Sequence, residues 1–380
     1  MGIMNNVNEK YIPRENSMYL AKKFKKIATI GKGSFGEVIL VKEQSDGQIN
    51  QPEEGKINQP DELIKKEDDD MTKSPLYAIK KSYTKSTSNG TTFKLTDNDW
   101  EREYTILSML CHESIIRVNY LFKIYENNEN VFCLIMEYFP GVDLNAFIDH
   151  QKRKNMEDQK MYRMLIKDQL AIIIKLLNVI KYLHKLGIIH RDIKPGNIMY
   201  NPKCGTIKLI DFTFASYYLD EPETPEQLEY ATCTKVNKGT PLFMPREMIF
   251  SSYENFKVET RSNLVKSDIW AMGITIYCMI AGYEPFNASN YKEFKGLMIN
   301  PPVPLYGVFH TTYFIESLIK DCLLVDYHDR PDINELCSAY LPRLEQTTIV
   351  LDGNGNEIFE YENRLNNMLL QEEPIFEFEK

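Results

Sequence analysis

The order of apolar and polar positions divides the chain in two. From Phe24 to Glu137 the apolar residues come in short alternating runs, the two-residue period of a half-buried strand. Lys26–Ile30, Glu37–Val41, Leu76–Lys80, Ile115–Val118, Tyr120–Tyr125 and Val131–Ile135 read as strands, with Asn127–Asn130 as the turn between the last two. One helix interrupts them, with Trp100, Tyr104, Leu107 and Leu110 as its apolar stripe. From Val142 the pattern is helical. Tyr162–Leu186 is a long periodic helix stopped by Gly187, and Lys266–Ile280 is a second, strongly apolar one. Near the end, Thr347–Leu351, Asp352–Asn356 and Ile358–Tyr361 read as strand, turn and strand.

Two stretches fall outside these periods. Residues 1–23 are polar and read as an N-terminal extension. Residues 43–75 are rich in Glu, Asp, Gln, Asn and Lys and hold a tandem repeat, Gly47–Glu54 echoed by Gly55–Glu62. Such a polar duplication buries too little surface to offset its ordering entropy. It is expected to be a disordered insertion between two strands, a docking segment or, the preferred reading, a tolerated loop expansion.

Composition narrows the class. The 380 residues are 43% hydrophobic and 26% charged, the make-up of a globular protein. A net charge of -9 argues against bulk nucleic-acid binding, which needs basic surface. Seven scattered cysteines without a C-x-x-C pair suggest neither a disulfide framework nor a zinc site, and fit the cytoplasm or nucleus. No leader and no transmembrane segment are expected: the first twenty residues lack an apolar core, and the apolar run Leu170–Leu183 is too short and carries Lys175 and Lys181.

Candidate chemistry gathers in Ile188–Met199 and the run that follows it. Asp192 and Asn197 lie five apart on one loop, so one can face a nucleophile and the other a metal. The strand Ile207–Ile210 delivers Asp211 at its tip. Two carboxylates and a carboxamide at this spacing suit phosphoryl transfer, where catalysis is positioning plus charge neutralisation. Lys194 is placed to steady a transferring phosphate. Upstream, Gly31, Lys32, Gly33, Ser34, Phe35 and Gly36 join two strands, and glycines let backbone turn tightly against phosphates. Dinucleotide-binding folds continue from such a loop into a helix; here a β-branched run follows. Lys80 ends an apolar strand. Glu103, one residue off the helical stripe, can reach it as an ion-pair partner, and Glu101 is the competing choice.

Taken in order, Gly31–Gly36, Ala78-Ile79-Lys80, His190-Arg191-Asp192 with Lys194 and Asn197, Asp211-Phe212, Gly239-Thr240-Pro241 and Glu247 resemble a eukaryotic protein kinase domain of the serine/threonine type. The resemblance covers residues 24–343. It implies an α+β, two-lobed, protein-kinase-like fold. The small antiparallel β lobe with one helix would span 24–136, the hinge 137–141 and the mainly helical lobe 142–343, with an acidic tail at 344–380 and ATP between the lobes.

By the same resemblance, Ile30 to Gly36, Val38, Ala78, Lys80, Met136, Glu137, Tyr138 and Met199 would take ATP, with Glu103 orienting Lys80. Asp192 would orient the substrate hydroxyl and accept its proton, Lys194 support the γ-phosphate, and Thr240 help position Asp192 and the substrate hydroxyl. Asn197 and Asp211 would hold Mg²⁺ or Mn²⁺. Protein substrates are implied, and an upstream kinase acting on Thr232 and Thr234, with Arg191 receiving the phosphate. Asp268 would cap backbone N–H groups of the catalytic loop, and Arg330 would pair with Glu247. A weaker resemblance, through the insertion, Gly239–Met244 and Trp270–Gly273, points to calcium/calmodulin-dependent protein kinase kinases. The tail lacks the basic amphipathic helix that binds calmodulin.

Two departures stand out. Thr213 replaces the glycine of D-F-G and is expected to narrow switching between Phe-in and Phe-out states. Pro245-Arg246-Glu247 replaces A-P-E. They motivate a rival reading, a pseudokinase scaffold that binds partners with little or no catalysis. Asp143 matches an acidic position for basic substrates, whereas Gly196 lacks the second acid, so no strong basic preference is expected.

Overall fold

The computed structural model describes residues 11–12, 20, 22–33, 36–44, 75–82, 95–126, 129–157, 162, 164–217, 239–250, 261–286, 288, 290–299, 301, 311–351 and 357–359. Most of the repeat insertion, Ser34, Phe35, Thr232 and Thr234 lie outside them. The chain divides into two compact units: residues 1–111 with 116–140, and residues 112–115 with 141–380.

The first unit is built on a six-stranded sheet. Its strands are β1 (Tyr11–Ile12), β2 (Phe24–Lys32), β3 (Gly36–Glu43), β4 (Leu76–Ser82), β5 (Val118–Glu126) and β6 (Glu129–Glu137), and its helix is α1 (Asp97–Met109). The order β1-β5-β6-β4-β3-β2 is antiparallel except at the β1–β5 edge. That edge corrects one expectation. The N-terminal extension is not wholly outside the fold, because Tyr11 and Ile12 add a short parallel strand beside Leu121 and Phe122.

Alternation sets the two faces of this sheet. Val41, Ile79, Ile135, Cys133, Phe122 and Ile124 pack with Leu20 and Phe24 on one face. The cross-strand sets Val38–Lys80–Leu134 and Leu40–Ala78–Met136 therefore share the other. The sequence insertion leaves the sheet between β3 and β4, where the Glu43 N–H donates to the Pro75 carbonyl at 3.2 Å.

Helix α1 starts three residues before its apolar stripe because Thr96 and Asp99 form a reciprocal capping box. Trp100 is 2% exposed and stacks on Phe132. The expected strand Ile115–Val118 does not form. Ile115 makes one isolated parallel bridge to Leu209, and its N–H closes a turn onto the His112 carbonyl at 3.1 Å. Its apolar run signals a buried connection, not a strand.

The second unit begins with β7 (Val142–Asp143), α2 (Leu144–Glu157), α3 (Ile166–Lys185) and β8 (Ile188–Ile189). A 3-10 turn, Pro195–Asn197, leads to β9 (Ile198–Asn201), β10 (Thr206–Leu209) and β11 (Ser216–Tyr217). Then come α4 (Arg246–Ile249), α5 (Arg261–Ala281), α6 (Tyr291–Ile299), α7 (Tyr313–Cys322), α8 (Ile333–Glu345), β12 (Ile349–Leu351) and β13 (Glu357–Phe359).

Helix α3 starts at Ile166, not at Tyr162, whose hydroxyl instead donates to the Met279 carbonyl at 2.5 Å. Ile172, Ile173, Leu176, Leu177, Val179, Ile180 and Leu183 of α3 are sealed from solvent. The stretch Leu264–Ala281 of α5 is long and apolar enough to cross a membrane by length and composition, but 78% of it is buried within the fold. It is the core helix of this unit. The tail strands pair as read from the sequence, Val350 opposite Ile358.

Candidate active site

In the first unit the sheet face opposite the Ile79 core carries the candidate nucleotide residues. Register places Val38 beside Lys80, and Ala78 beside Met136. The Lys80 ammonium donates to both Glu103 carboxylate oxygens at 2.8 Å. Glu103 is 1% exposed, and the lysine also sits 5.3 Å over the Trp100 ring. The partner is thus Glu103, not Glu101. Helix α1 buries more than its stripe, with Asp99 and Arg102 paired at 2.6 Å beside it. Trp100 reads in the sequence as core, and its place under the lysine carried no separate signal.

The glycine turn is held by the Gly33 N–H on the Gly36 carbonyl at 2.8 Å. A Cβ on Gly36 would lie 2.1 Å from the Lys81 carbonyl oxygen, so strand pairing there admits no side chain. Ile30 is 37% exposed, with Gly31 half-buried and Lys32 exposed beside it on β2. Glu137 is bonded twice to Arg117: its N–H donates to the Arg117 carbonyl and its carboxylate accepts from the Arg117 N–H, both at 2.9 Å. Tyr138 follows, half-buried.

In the second unit the loop that carries His190, Arg191 and Asp192 is hung from α5. Asp268, fully buried, accepts from the His190 N–H at 2.9 Å and the Arg191 N–H at 2.8 Å. His184 Nε2 lies 3.0 Å from the same carboxylate. The capping role read from the sequence is present; the His184 contact is additional and had no sequence signal. Burial would raise the Asp268 carboxyl, but the His184 hydrogen bond and the His190 contacts hold it below its ordinary value. Arg191 takes φ 67°, which turns the chain toward Asp192.

His190 is sealed in the core. Its Nδ1 accepts from the Asp192 N–H at 3.3 Å, so Nε2 donates to the Ile210 carbonyl at 3.1 Å. Burial lowers its pKa, outweighing the nearby carboxylates, and the neutral ring fits this bonding.

Asp192 collects four donors. Oδ1 accepts from the Thr240 N–H at 2.9 Å and hydroxyl at 2.7 Å; Oδ2 accepts from Lys194 Nζ at 2.7 Å and Asn197 Nδ2 at 2.8 Å. Lys194 also donates to the Thr240 hydroxyl at 2.7 Å. Thr240 is brought in by Gly239, whose φ is 129° and whose Cβ would meet the Arg191 carbonyl at 2.6 Å. Downstream, Arg330 Nη1 donates to Glu247 at 2.8 Å, so the Glu247–Arg330 tie forms with Pro245-Arg246 before it.

Asn197 and Asp211 are placed by adjoining strands, with the Ile210 N–H on the Asn197 carbonyl at 2.9 Å. Since Asn197 Nδ2 faces Asp192, its carboxamide oxygen is the metal-type donor. Mg²⁺ asks for few protein oxygens and keeps water and phosphate ligands. A carboxylate plus a carboxamide fits it, and among the described residues no cluster of three His, Cys, Asp or Glu offers an all-protein cage. Asp211 takes φ 61°, and the Thr213 hydroxyl donates to its Oδ1 at 2.6 Å. Phe212 is fully buried, edge-on to His190 at 4.6 Å. Met199 lies half-buried on β9, paired to Lys208. Asp143 accepts from the Ala146 N–H at 2.9 Å, capping α2.

The protein kinase domain profile matches residues 65–341. Calcium-dependent protein kinase 4 of Plasmodium berghei is 28% identical over 280 residues, 73% of this chain and 41% of that protein. Serine/threonine-protein kinase par-4 of Caenorhabditis briggsae is 28% identical over 246 residues, 63% of this chain and 33% of that one. Human serine/threonine-protein kinase tousled-like 2 is 27% identical over 254 residues, 63% of this chain and 30% of that one. The matched region therefore spans between about a third and two-fifths of these relatives. A crystal structure of Rad53 kinase domain and SCD2 shares the fold, with a TM-score of 0.54 at 18% identity, covering 92% of this chain and 98% of that one. With its profile match, its β-sheet unit, its helical unit and the Asp192 cluster, this chain belongs to the protein kinase domain family.

Proposed function

We propose that the chain transfers the γ-phosphate of ATP to serine and threonine hydroxyls of proteins, as part of a cytoplasmic or nuclear signalling pathway. The observation that carries the reading is the Asp192 carboxylate held by Lys194, Asn197 and Thr240 at 2.7 to 2.9 Å. Asp192 accepts the hydrogen of the incoming hydroxyl, whose oxygen bonds to the γ-phosphorus as the bond to the β–γ bridging oxygen breaks and ADP leaves. Thr240 and Lys194 fix the aspartate, and Lys194 turns its charge to the phosphoryl oxygens. Lys80, aligned by Glu103, meets the α- and β-phosphates; the glycine turn, Val38, Ala78, Met136, Glu137, Tyr138 and Met199 take the rest of the nucleotide. Asn197 and Asp211 would hold Mg²⁺, which when bound would neutralise phosphate charge.

Thr232 and Thr234 are the proposed acceptors for an upstream kinase, with Arg191 the cation beside the catalytic aspartate. The scaffold alternative is favoured by Thr213 and Arg246 alone. Radiolabelled Mg-ATP decides between them, with the chain itself and a generic protein as acceptors and Asp211→Asn as control. Label on serine or threonine that vanishes in the control is expected. No transfer, even after exposure to cell extract, would move the chain to the scaffold reading.

A further inference from the structure

We propose that Thr213 is a positioning residue: its hydroxyl latches Asp211 in the left-handed conformation that presents the carboxylate to a metal, before any nucleotide arrives. The proposal rests on the kinase reading for its purpose but on local geometry for its existence. Asp211 sits at φ 61°, a region that L side chains enter at a cost. Something must hold it there. Upstream, the Ile210 N–H is bonded to the Asn197 carbonyl and the Ile210 carbonyl accepts from His190 Nε2. Downstream, the Thr213 hydroxyl reaches back two residues to Asp211 Oδ1 at 2.6 Å, a short bond to a charged acceptor.

The donor itself cannot swing away. Thr213 is 1% exposed and β-branched, so burial and its own Cβ restrict χ1. Between the two, Phe212 is fully buried against His190, which pins the intervening residue. A glycine at 213 would supply neither the hydroxyl nor the stiffness. The departure from D-F-G thus replaces a hinge with a clasp. A carboxylate offers about four lone-pair sites, so a hydroxyl on one oxygen is compatible with metal ligation at the carboxylate.

Three variants separate hydroxyl from shape. Thr213→Val keeps the branch and loses the donor, Thr213→Ser keeps the donor, and Thr213→Gly loses both without any clash. The first readout is hydrogen–deuterium exchange of residues 211–215 in the full chain without nucleotide or metal. The second is the Mg²⁺ concentration that half-saturates binding of a non-hydrolysable ATP analogue. Val and Gly should exchange faster and need more Mg²⁺, each by about ten- to hundredfold, the weight of one hydrogen bond to a charged group. Ser should stay within about twofold of the parent on that same scale. Val indistinguishable from the parent, or Ser as impaired as Val, would overturn the latch. Should Val fail to fold, the contrast between Gly and Ser decides alone. If the parent transfers no phosphate while Val and Gly still speed exchange, the latch stands and the kinase reading falls.

Discussion

Thr240 and Asp192 are joined twice across forty-eight residues: backbone N–H and hydroxyl of the threonine both fall on the same aspartate oxygen. The loop that carries Thr240 and the loop that carries Asp192 therefore share one carboxylate. An incoming hydroxyl would have to share a carboxylate that already accepts from Thr240, Lys194 and Asn197. Thr240→Ala should lower kcat by about ten- to hundredfold, the scale of a misplaced catalytic group, with KM for ATP little changed. Thr240→Ser should keep most of the rate. Steady-state kinetics with a peptide acceptor measures both; equal losses for Ala and Ser would show that the methyl matters and the hydroxyl does not.

Glu103 is buried and Lys80 half-buried, so removing the carboxylate charge leaves the ammonium poorly compensated. Glu103→Gln should weaken nucleotide binding and cost about 1–3 kcal/mol of stability. Glu101→Gln, two residues back and on the opposite side of the helix, should change neither. Urea unfolding and nucleotide titration of the two variants give the comparison, and a matching loss in Glu101→Gln would undo the assignment.

Gly36 and Gly33 should part company. Alanine at 36 puts a methyl 2.1 Å from the Lys81 carbonyl, and alanine at 33 meets only the Gly36 oxygen at 3.9 Å. Overpacking of this kind costs about 1–3 kcal/mol. Thermal melting should show the loss for Gly36→Ala and almost none for Gly33→Ala.

Acid should destabilise the fold in two stages. His190 and His112 are both lowered from 6.5 by burial, so the unfolded chain takes up protons first as pH falls. Stability is then full above about pH 6.5 and declines below it. Asp268 is lowered from 3.8, so its contribution persists above that value and is lost as pH falls through its folded pKa. Urea midpoints measured from pH 7.5 to 3 should trace this curve. In His190→Asn the slope just below pH 6.5 should flatten; an unchanged slope would assign it elsewhere.

Much of this site is legible in the residues themselves. Asp192, Lys194, Asn197 and Thr240 meet because chemistry-bearing residues keep fixed spacings around short strands, and the Glu247–Arg330 pair follows from the same order. Tyr162 fails because a helical period cannot reveal that its hydroxyl will leave to bond Met279. Ile115 fails because apolar residues in a buried connection look like a strand until pairing partners are counted. Residues 11 and 12 fail because a two-residue edge strand carries no period at all. The Thr213 bond escapes for a different reason: the sequence shows stiffness at that position, but only coordinates show where the hydroxyl points.

Asp268 has a consequence for transplantation. His190 and Arg191 hang from a carboxylate on a core helix, which His184 of another core helix steadies in turn. The H-R-D loop is therefore not a module. Moved to a new scaffold as a contiguous peptide, it would arrive without the two helices that fix its backbone. The smallest transferable unit is a discontinuous one, in which α3, the loop and α5 travel together.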